Sequence, residues 1–145
     1  MQGVMMSALN ELITRGRIHL ELGKNEDAIV YFDLALEMDP ENAVAWGGKG
    51  IAFVNLGMYD EALECFDKAI SYDAELAFAW EGKGIALMRK GQVEESIPFF
   101  DMALKIEPKF ARAAQNMAIA LEKLGRKEES ERYRSLAESL KSRSG

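Results

Sequence analysis

The sequence predicts an all-α protein built as a solenoid of antiparallel helix pairs, and three observations lead to this fold class. The segment 43–76 is written again over 77–110 and over 9–42, which gives a period of thirty-four residues. Apolar residues within each copy recur at the three- and four-residue spacings of an amphipathic helix. A glycine in the middle of each copy marks a short turn between two helices. A period of this length is typical of stacked helical repeats.

The recurring positions hold large aromatic, small or turn-forming residues. Phe66 and Ala69 present a large side chain and a small one to the neighbouring repeat, so we expect the phenylalanine at this position to be buried between helices. The central copy carries Trp46, Gly50, Gly57, Tyr59, Ala62, Phe66 and Ala69; the downstream copy carries Trp80, Gly84, Gly91, Phe100 and Ala103; the upstream copy carries Gly16, Gly23, Ala28, Phe32 and Ala35.

The first helix pair is predicted over 4–22 and over 28–38. Gly23 follows the first run, where a glycine can end a helix, and the second run stops at Asp39 and Pro40. We expect Asp39 to cap the next helix and Pro40 to be its first residue, because proline lacks only an N–H that has no partner at that position. Residues 1–10 precede the first repeat and either extend its helix or dock into a groove as a separate apolar segment.

The two middle pairs repeat this pattern, over 43–56 and 59–72 and then over 77–90 and 93–106. Gly57 and Gly91 mark the turns within the pairs. Because every connection is only a few residues long, consecutive helices must be antiparallel. Pro98 lies in the second turn of its helix, where we expect it to bend the axis without breaking it.

The fourth pair, predicted over 111–124 and 127–141, departs from the others. Ala114 stands at the tryptophan position and Arg134 at the phenylalanine position, and the last helix is rich in charged residues. A solenoid needs such a polar helix where stacking ends, so residues 111–141 are expected to cap the array and residues 142–145 to fray. No linker composition interrupts the chain, so residues 1–145 are predicted to form a single domain.

Charge is distributed unevenly along the chain. The 145 residues carry a net charge of −6, with three basic and eight acidic side chains over 1–42 and eight basic and five acidic side chains over 111–145. Most of this surface would repel a polyanion, so no nucleic-acid partner is expected. A composition of 48% hydrophobic and 29% charged residues is that of a folded chain.

The expected location is the cytoplasm. Cys65 is the only cysteine, so no disulfide can form within the chain, which agrees with a reducing compartment. The first residues carry no basic side chain and do not resemble a secretory signal, and no apolar run reaches the length of a membrane span.

No catalytic constellation is found. His19 and Cys65 each occur alone and occupy positions that are apolar in other repeats, so both are expected to fill space in the core. Lys49 lies between two glycines, but no Ser or Thr follows it and no strand precedes it, so a phosphate-binding loop is not supported. We therefore expect no enzymatic activity, no cofactor and no metal site, and we expect Lys49 to pair with acidic neighbours.

The spaced pattern of Trp46, Gly50, Gly57, Ala62 and Phe66 resembles the tetratricopeptide repeat family. Residues 9–110 hold three good copies, over 9–42, 43–76 and 77–110. The resemblance implies a right-handed superhelix. Two departures from the family pattern are Leu12 at the tryptophan position of the first repeat and Ala74 at the usual proline position.

The resemblance also implies that the first helix of each pair lines a concave groove for a protein or peptide partner. Trp46, Gly50 and Phe53 face the core in the family pattern, so the opposite stripe should line the groove. Members that hold a C-terminal carboxylate use Lys, Asn and Arg, where this chain has Ile13, Gly48, Phe78 and Gly82, so that clamp is absent. The expected groove residues are Ile13, Arg17, Val44, Gly47, Gly48, Ile51, Val54, Asn55, Phe78, Glu81, Gly82, Ile85, Met88, Arg89 and Ile119.

Two functional hypotheses follow. The first is a non-catalytic scaffold or adaptor whose groove binds an apolar or amphipathic segment of another protein, with an apolar floor deepened at Gly47, Gly48 and Gly82. The alternative is a structural protein that forms homo-oligomers, through its N-terminal helix or through contact between its acidic and basic ends. Such contacts would weaken with salt.

Overall fold

The computed structural model describes residues 2–144, with the side chain of Ser144 left undescribed. Over this range all regular structure is α-helical, which confirms the predicted fold class. The helices are α1 (Gln2–Glu21), α2 (Asn25–Met38), α3 (Ala43–Asn55), α4 (Tyr59–Tyr72), α5 (Ala77–Arg89), α6 (Val93–Ile106), α7 (Ala111–Lys123) and α8 (Lys127–Ser144).

The turn inside each pair has one recurring geometry. Gly23, Gly57, Gly91 and Gly125 adopt φ angles of 74°, 76°, 96° and 78°, a left-handed conformation that glycine adopts without steric cost. The amide of the residue after the glycine then donates back to the last turn of the helix, as Met58 N does to Phe53 O at 2.9 Å. This is the arrangement that ends many helices at glycine.

The predicted run over 43–56 begins where α3 begins, but the predicted cap, Asp39, and the predicted first residue, Pro40, were wrong. Asn42 caps this helix: its Oδ1 accepts the Ala45 amide at 2.9 Å, and its Nδ2 donates to Asp39 Oδ2 at 3.2 Å. The amide of Asn42 also donates to Asp39 O at 3.1 Å, which closes a turn over 39–42. The helix can begin only after that turn, so Pro40 precedes it.

Both ends of the chain are more helical than expected. Residues 2–10 extend α1 and do not form a separate segment docked into a groove. Met1, which belongs to the same predicted segment, lies outside the described residues. Residues 142–144 belong to α8 and do not fray, and Ser142 Oγ donates to Ser139 O at 3.0 Å. Gly145, the remaining residue of the predicted tail, is not described. Helix α6 runs through Pro98 without a break, as expected.

The helices form two compact units, Met1–Ala74 and Glu75–Gly145, here called the N-terminal and C-terminal units. Each contains two helix pairs and has its own packed core. In the N-terminal unit α1 packs on α2, α2 on α3 and α3 on α4; in the C-terminal unit α5 packs on α6, α6 on α7 and α7 on α8. The interpretation of the whole chain as one domain stays a prediction.

Phenylalanine rings fill the space beside the helix glycines. Phe32, Phe66 and Phe100 are fully buried, as predicted. A Cβ on Gly50 would lie 2.7 Å from the Phe66 ring, and one on Gly84 would lie 2.7 Å from the Phe100 ring. These glycines therefore let a second helix approach closely enough to cover the ring.

The last helix pair replaces part of this apolar packing with polar contacts. Arg134, at the phenylalanine position, places Nη2 2.6 Å from Glu122 Oε2. Ser130 is buried, and its Oγ donates to Ala118 O at 2.8 Å. The core of the unit lies beside these contacts and consists of Phe100, Met117, Ala120 and Leu121, against which Ile85, Met88, Val93, Ile97 and Tyr133 pack.

Candidate partner-binding surface

The expected groove residues all lie on the first helices of the pairs, α1, α3, α5 and α7, and they divide between the two units. The N-terminal unit holds Ile13, Arg17, Val44, Gly47, Gly48, Ile51, Val54 and Asn55; the C-terminal unit holds Phe78, Glu81, Gly82, Ile85, Met88, Arg89 and Ile119.

Part of the N-terminal set belongs to the core. Ile13 is 9% exposed and lies in the cluster that contains Leu9 and Phe32, and Val44 packs against the same cluster. Val54 is 7% exposed. These side chains leave little apolar surface for a partner.

Gly48 does not deepen an open groove, which corrects the sequence interpretation. A Cβ built on Gly48 would collide with the ring of Phe32, and one on Gly16 would lie 2.6 Å from that ring. The space left by the missing side chain is therefore filled from α2. Gly47 and Gly82 are also buried.

The residues that remain accessible in the N-terminal unit are mixed in character. Ile51 is partly exposed, and Arg17 and Asn55 are exposed. Asn55 Nδ2 donates to Asn25 Oδ1 at 3.0 Å, which links the end of α3 to the start of α2. The accessible surface here is one apolar side chain with polar neighbours.

A buried carboxylate forms the centre of the C-terminal set. Glu81 on α5 is 1% exposed. Its carboxylate accepts hydrogen bonds from Arg112 Nε at 2.7 Å and from Arg112 Nη2 at 2.6 Å. Asn116 Nδ2 adds a third hydrogen bond at 3.2 Å. The bond to Glu81 raises the pKa of Arg112, and the guanidinium also lies 5.3 Å from the centre of the Phe110 ring. This network joins α5 to α7, the first helices of adjacent pairs.

The sequence interpretation placed Glu81 in the groove but did not pair it with Arg112 or Asn116. Arg112 and Asn116 follow Glu81 by 31 and 35 residues, which is one period minus three and one period plus one. Such offsets bring side chains together on neighbouring first helices, so a search for opposite charges near one period would have found the pair.

The other side chains of the C-terminal set lie around this network. Ile85 and Met88 are half-buried and pack against the core around Phe100. Phe78 and Ile119 are partly exposed, and Arg89 is exposed. The surface is therefore apolar at its edges and charged at its centre.

The lysines between the helix glycines have structural contacts. Lys49 Nζ lies 2.8 Å from Asp33 Oδ1 and 5.4 Å from the centre of the Trp46 ring, which confirms the expected acidic neighbour. Lys83 Nζ lies 4.5 Å from the centre of the Phe99 ring. Lys49 thus links α3 to α2 of the preceding pair, whereas Lys83 links α5 to α6 of its own pair.

Trp46 and His19 lie at the edge of the packing, not deep within it. Trp46 is half-buried, and its Nε1 donates to Pro40 O at 2.8 Å. His19 is also half-buried: its ring centre lies 4.8 Å from that of Tyr31, and Nδ1 lies 2.7 Å from Arg15 O. The prediction that His19 fills the core is therefore only partly right.

Cys65 is buried, as predicted, and burial raises the pKa of its thiol to about 11. A thiol that stays protonated at neutral pH is a poor nucleophile. Among residues 2–144, no three His, Cys, Asp or Glu side chains are grouped in a way that could hold a metal ion. None of the described helices is both long and apolar enough to cross a membrane.

Repeated helix pairs, glycine turns and phenylalanines buried beside glycines define this chain as a helical repeat protein. Family models for the tetratricopeptide repeat match residues 10–42, 43–75 and 79–110, which together span more than half of the chain. The chain belongs to the tetratricopeptide repeat family. It is accordingly a protein–protein interaction scaffold.

Solved structures show the same fold at low sequence identity. A crystal structure of MamA is 23% identical, with a TM-score of 0.80 over 94% of this chain and 80% of that one. A thermophilic tetratricopeptide repeat protein of Thermus thermophilus is 18% identical, with a TM-score of 0.84 over 91% and 74%. The first repeat domain of Spaghetti (RPAP3), bound to the HSP90 peptide SRMEEVD, is 20% identical, with a TM-score of 0.77 over 82% and 97%. No curated protein sequence matches the chain.

Proposed function

We propose that the chain is a non-catalytic adaptor whose first helices bind an apolar or amphipathic segment of a partner protein. The observation that carries this proposal is the partial exposure of Ile51, Phe78 and Ile119 on those helices. Covering such side chains contributes roughly 25 cal/mol for each Å² removed from water. The single, buried cysteine supports a location in the reducing cytoplasm.

The partner segment is not anchored by a terminal carboxylate. The family positions that would bind one hold Ile13, Gly48, Phe78 and Gly82. The donors of Arg112 and Asn116 on α7 already bond to Glu81. The comparison with the peptide-bound domain of RPAP3 therefore supports a peptide ligand as a class but not the same mode of anchoring.

Charge substitution on the first helices tests this proposal. Ile51→Glu, in the N-terminal unit, and Phe78→Glu, in the C-terminal unit, should each reduce the capture of partner proteins in an affinity purification, because a carboxylate cannot be covered by an apolar segment without loss of hydration. Met102→Glu on α6 is the matched control, since Met102 is 36% exposed and lies on a second helix. Circular dichroism establishes that each variant is folded. Capture that persists in both first-helix variants would contradict the proposal, and so would an equal loss of capture in the Met102→Glu control.

Self-association is a second proposed function, and the charge of the two units supports it. The N-terminal unit has five Lys and Arg against thirteen Asp and Glu, a net charge of −8, whereas the C-terminal unit has thirteen against eleven, a net charge of +2. Opposite charges on different copies attract each other at low ionic strength. Light scattering should show a mass above that of one chain at low salt and a decrease as salt is added; a single-chain mass at low salt and high concentration contradicts this function.

A further inference from the structure

The N-terminal helix pair carries an exposed apolar stripe on α2. Val30, Leu34 and Met38 are spaced by four residues and are 55%, 40% and 36% exposed. Met5 and Met6 of α1 are 56% and 58% exposed, and together with Met38 they line one groove. We call Val30, Leu34 and Met38 the α2 stripe.

The repeat fold does not require this stripe to be apolar. One period later, on α4, the same three positions hold Glu64, Lys68 and Tyr72. The helix nevertheless packs normally within its pair, because burial there depends on Ala62, Phe66 and Ala69. The apolar character of the α2 stripe therefore does not come from packing within the pair, and the equivalent positions of α6, Pro98, Met102 and Ile106, are apolar too.

A matching surface lies three periods later, on α8. The positions of the α2 stripe there hold Arg132, Leu136 and Leu140, of which Leu136 is 37% exposed and Leu140 is half-buried. Arg143 follows Leu140 on the same face. Glu129 lies on this face too, but Arg126 Nε holds its carboxylate at 2.9 Å.

We propose that the α2 stripe binds helix α8 of a second copy of the chain, a contact that rests on the self-association proposed above. In an antiparallel arrangement Leu34 lies opposite Leu136, and Val30 opposite Leu140. The same register brings Asp27 opposite Arg143, and it places Arg132 opposite Met38 and next to Glu37. Each apolar pair is thus flanked by one pair of opposite charges.

One end of the contact favours this direction by its charges. The first turn of α2 holds Glu26 and Asp27, and the last turn of α8 holds Lys141 and Arg143. Antiparallel packing places these turns together and aligns the helix dipoles in opposite directions. A parallel arrangement would bring Glu26 and Asp27 near Glu128 and Glu129, which repel them.

The contact uses different surfaces on the two copies. Each chain keeps a free α8 after its α2 stripe is covered, so the association is heterologous and can continue from copy to copy. Assembly should therefore grow with protein concentration and should not stop at a dimer.

Complementary variants test the contact by sedimentation velocity at low salt. Leu34→Glu places a charge in the α2 stripe, and Leu136→Glu places one on the matching surface of α8. Each substitution should prevent binding through the surface that it changes. Each variant alone should be monomeric, whereas an equimolar mixture should form complexes of two chains, because each variant retains the surface that the other lacks. Met102→Glu, at the corresponding position of α6, is the control and should associate like the unmodified chain.

A charge reversal tests the register. Asp27→Arg should weaken association by roughly tenfold, since it replaces an attraction with a repulsion at a partly desolvated site. Arg143→Asp should weaken it similarly, and the double variant should recover it. Both side chains are exposed, so these changes should leave the circular dichroism spectrum unaltered.

The outcomes separate the surface from the function. A single-chain mass for the unmodified protein overturns both self-association and the contact. Association that survives Leu34→Glu or Leu136→Glu leaves self-association standing and overturns the contact. Two monomeric variants that fail to pair when mixed also overturn it, because an intact α2 stripe and an intact α8 are then present on different chains and do not bind each other.

Discussion

The two units join neighbouring first helices by different chemistry at equivalent positions. In the N-terminal unit Gly48 of α3 receives the ring of Phe32. In the C-terminal unit the equivalent residue of α7 is Asn116, and it donates to the buried carboxylate of Glu81, which stands where α3 has Gly47. The recurring residues therefore determine the structure of each helix pair, whereas the contact between neighbouring pairs, here called the junction, can be aromatic or ionic.

The largest expected effect tests the aromatic junction. Phe32→Ala and Phe100→Ala should each lower the free energy of unfolding by about 3–5 kcal/mol, because a fully buried ring is replaced by a cavity. The loss for Phe32→Ala should lie at the upper end of this range, since Gly16 and Gly48 beside the ring have no side chain that could fill the space. Urea unfolding followed by circular dichroism measures both. A smaller loss for Phe32 than for Phe100 would show that the glycine junction can collapse.

The ionic junction gives the next effect. Arg112→Ala should lower the free energy of unfolding by about 2 kcal/mol, because it leaves Glu81 buried with only Asn116 as a partner. Replacing Glu81 by Gly as well should recover part of that loss, since the uncompensated charge is gone. Urea unfolding followed by circular dichroism measures the stability of both variants.

Arg134→Ala is the control for the ionic junction. Its partner Glu122 is 60% exposed and is hydrated when the pair is broken, so the loss should be smaller. Equal losses for Arg112→Ala and Arg134→Ala would mean that burial of Glu81 adds nothing to the strength of the junction.

The last expected effect appears only at alkaline pH and concerns Cys65, which occupies the position that Phe99 holds in the C-terminal unit. Its pKa is raised from 9.0 to about 11 by burial, so between these values the unfolded chain loses a proton that the folded chain keeps. Stability is therefore complete below pH 9 and falls as pH rises, by at most about 1.4 kcal/mol per pH unit. Cys65→Ala should show a shallower decrease in urea midpoints between pH 8.5 and 10.5; identical slopes would mean that the thiol ionises as readily in the folded chain.

The sequence was sufficient for the elements that depend on one repeat. The helix pairs, the glycine turns and the burial of Phe32, Phe66 and Phe100 follow from the period and from side-chain size. The cap of α3 was missed because Asp39, Pro40 and Asn42 all offer plausible boundaries, and only the turn over 39–42 decides between them.

Features that join one repeat to the next were harder to predict. Gly48 looked like a gap because the sequence does not show which side chain fills it. The bond from Arg112 to Glu81 depends on how closely α5 and α7 approach, which periodicity alone does not give. The period shows which residues are equivalent, whereas contacts between repeats depend on the residues that differ. The extent of the partner-binding surface is a property of those contacts.

The four glycine turns have a consequence for how such a chain can change length. Each turn is closed by backbone hydrogen bonds within its own helix pair. Duplication or loss of thirty-four residues therefore moves an entire hairpin and keeps the facing of every side chain on the helices that remain. A gene of this kind can therefore lengthen or shorten its product by complete helix pairs. Each added or removed pair changes the protein surface on which a new binding specificity can arise.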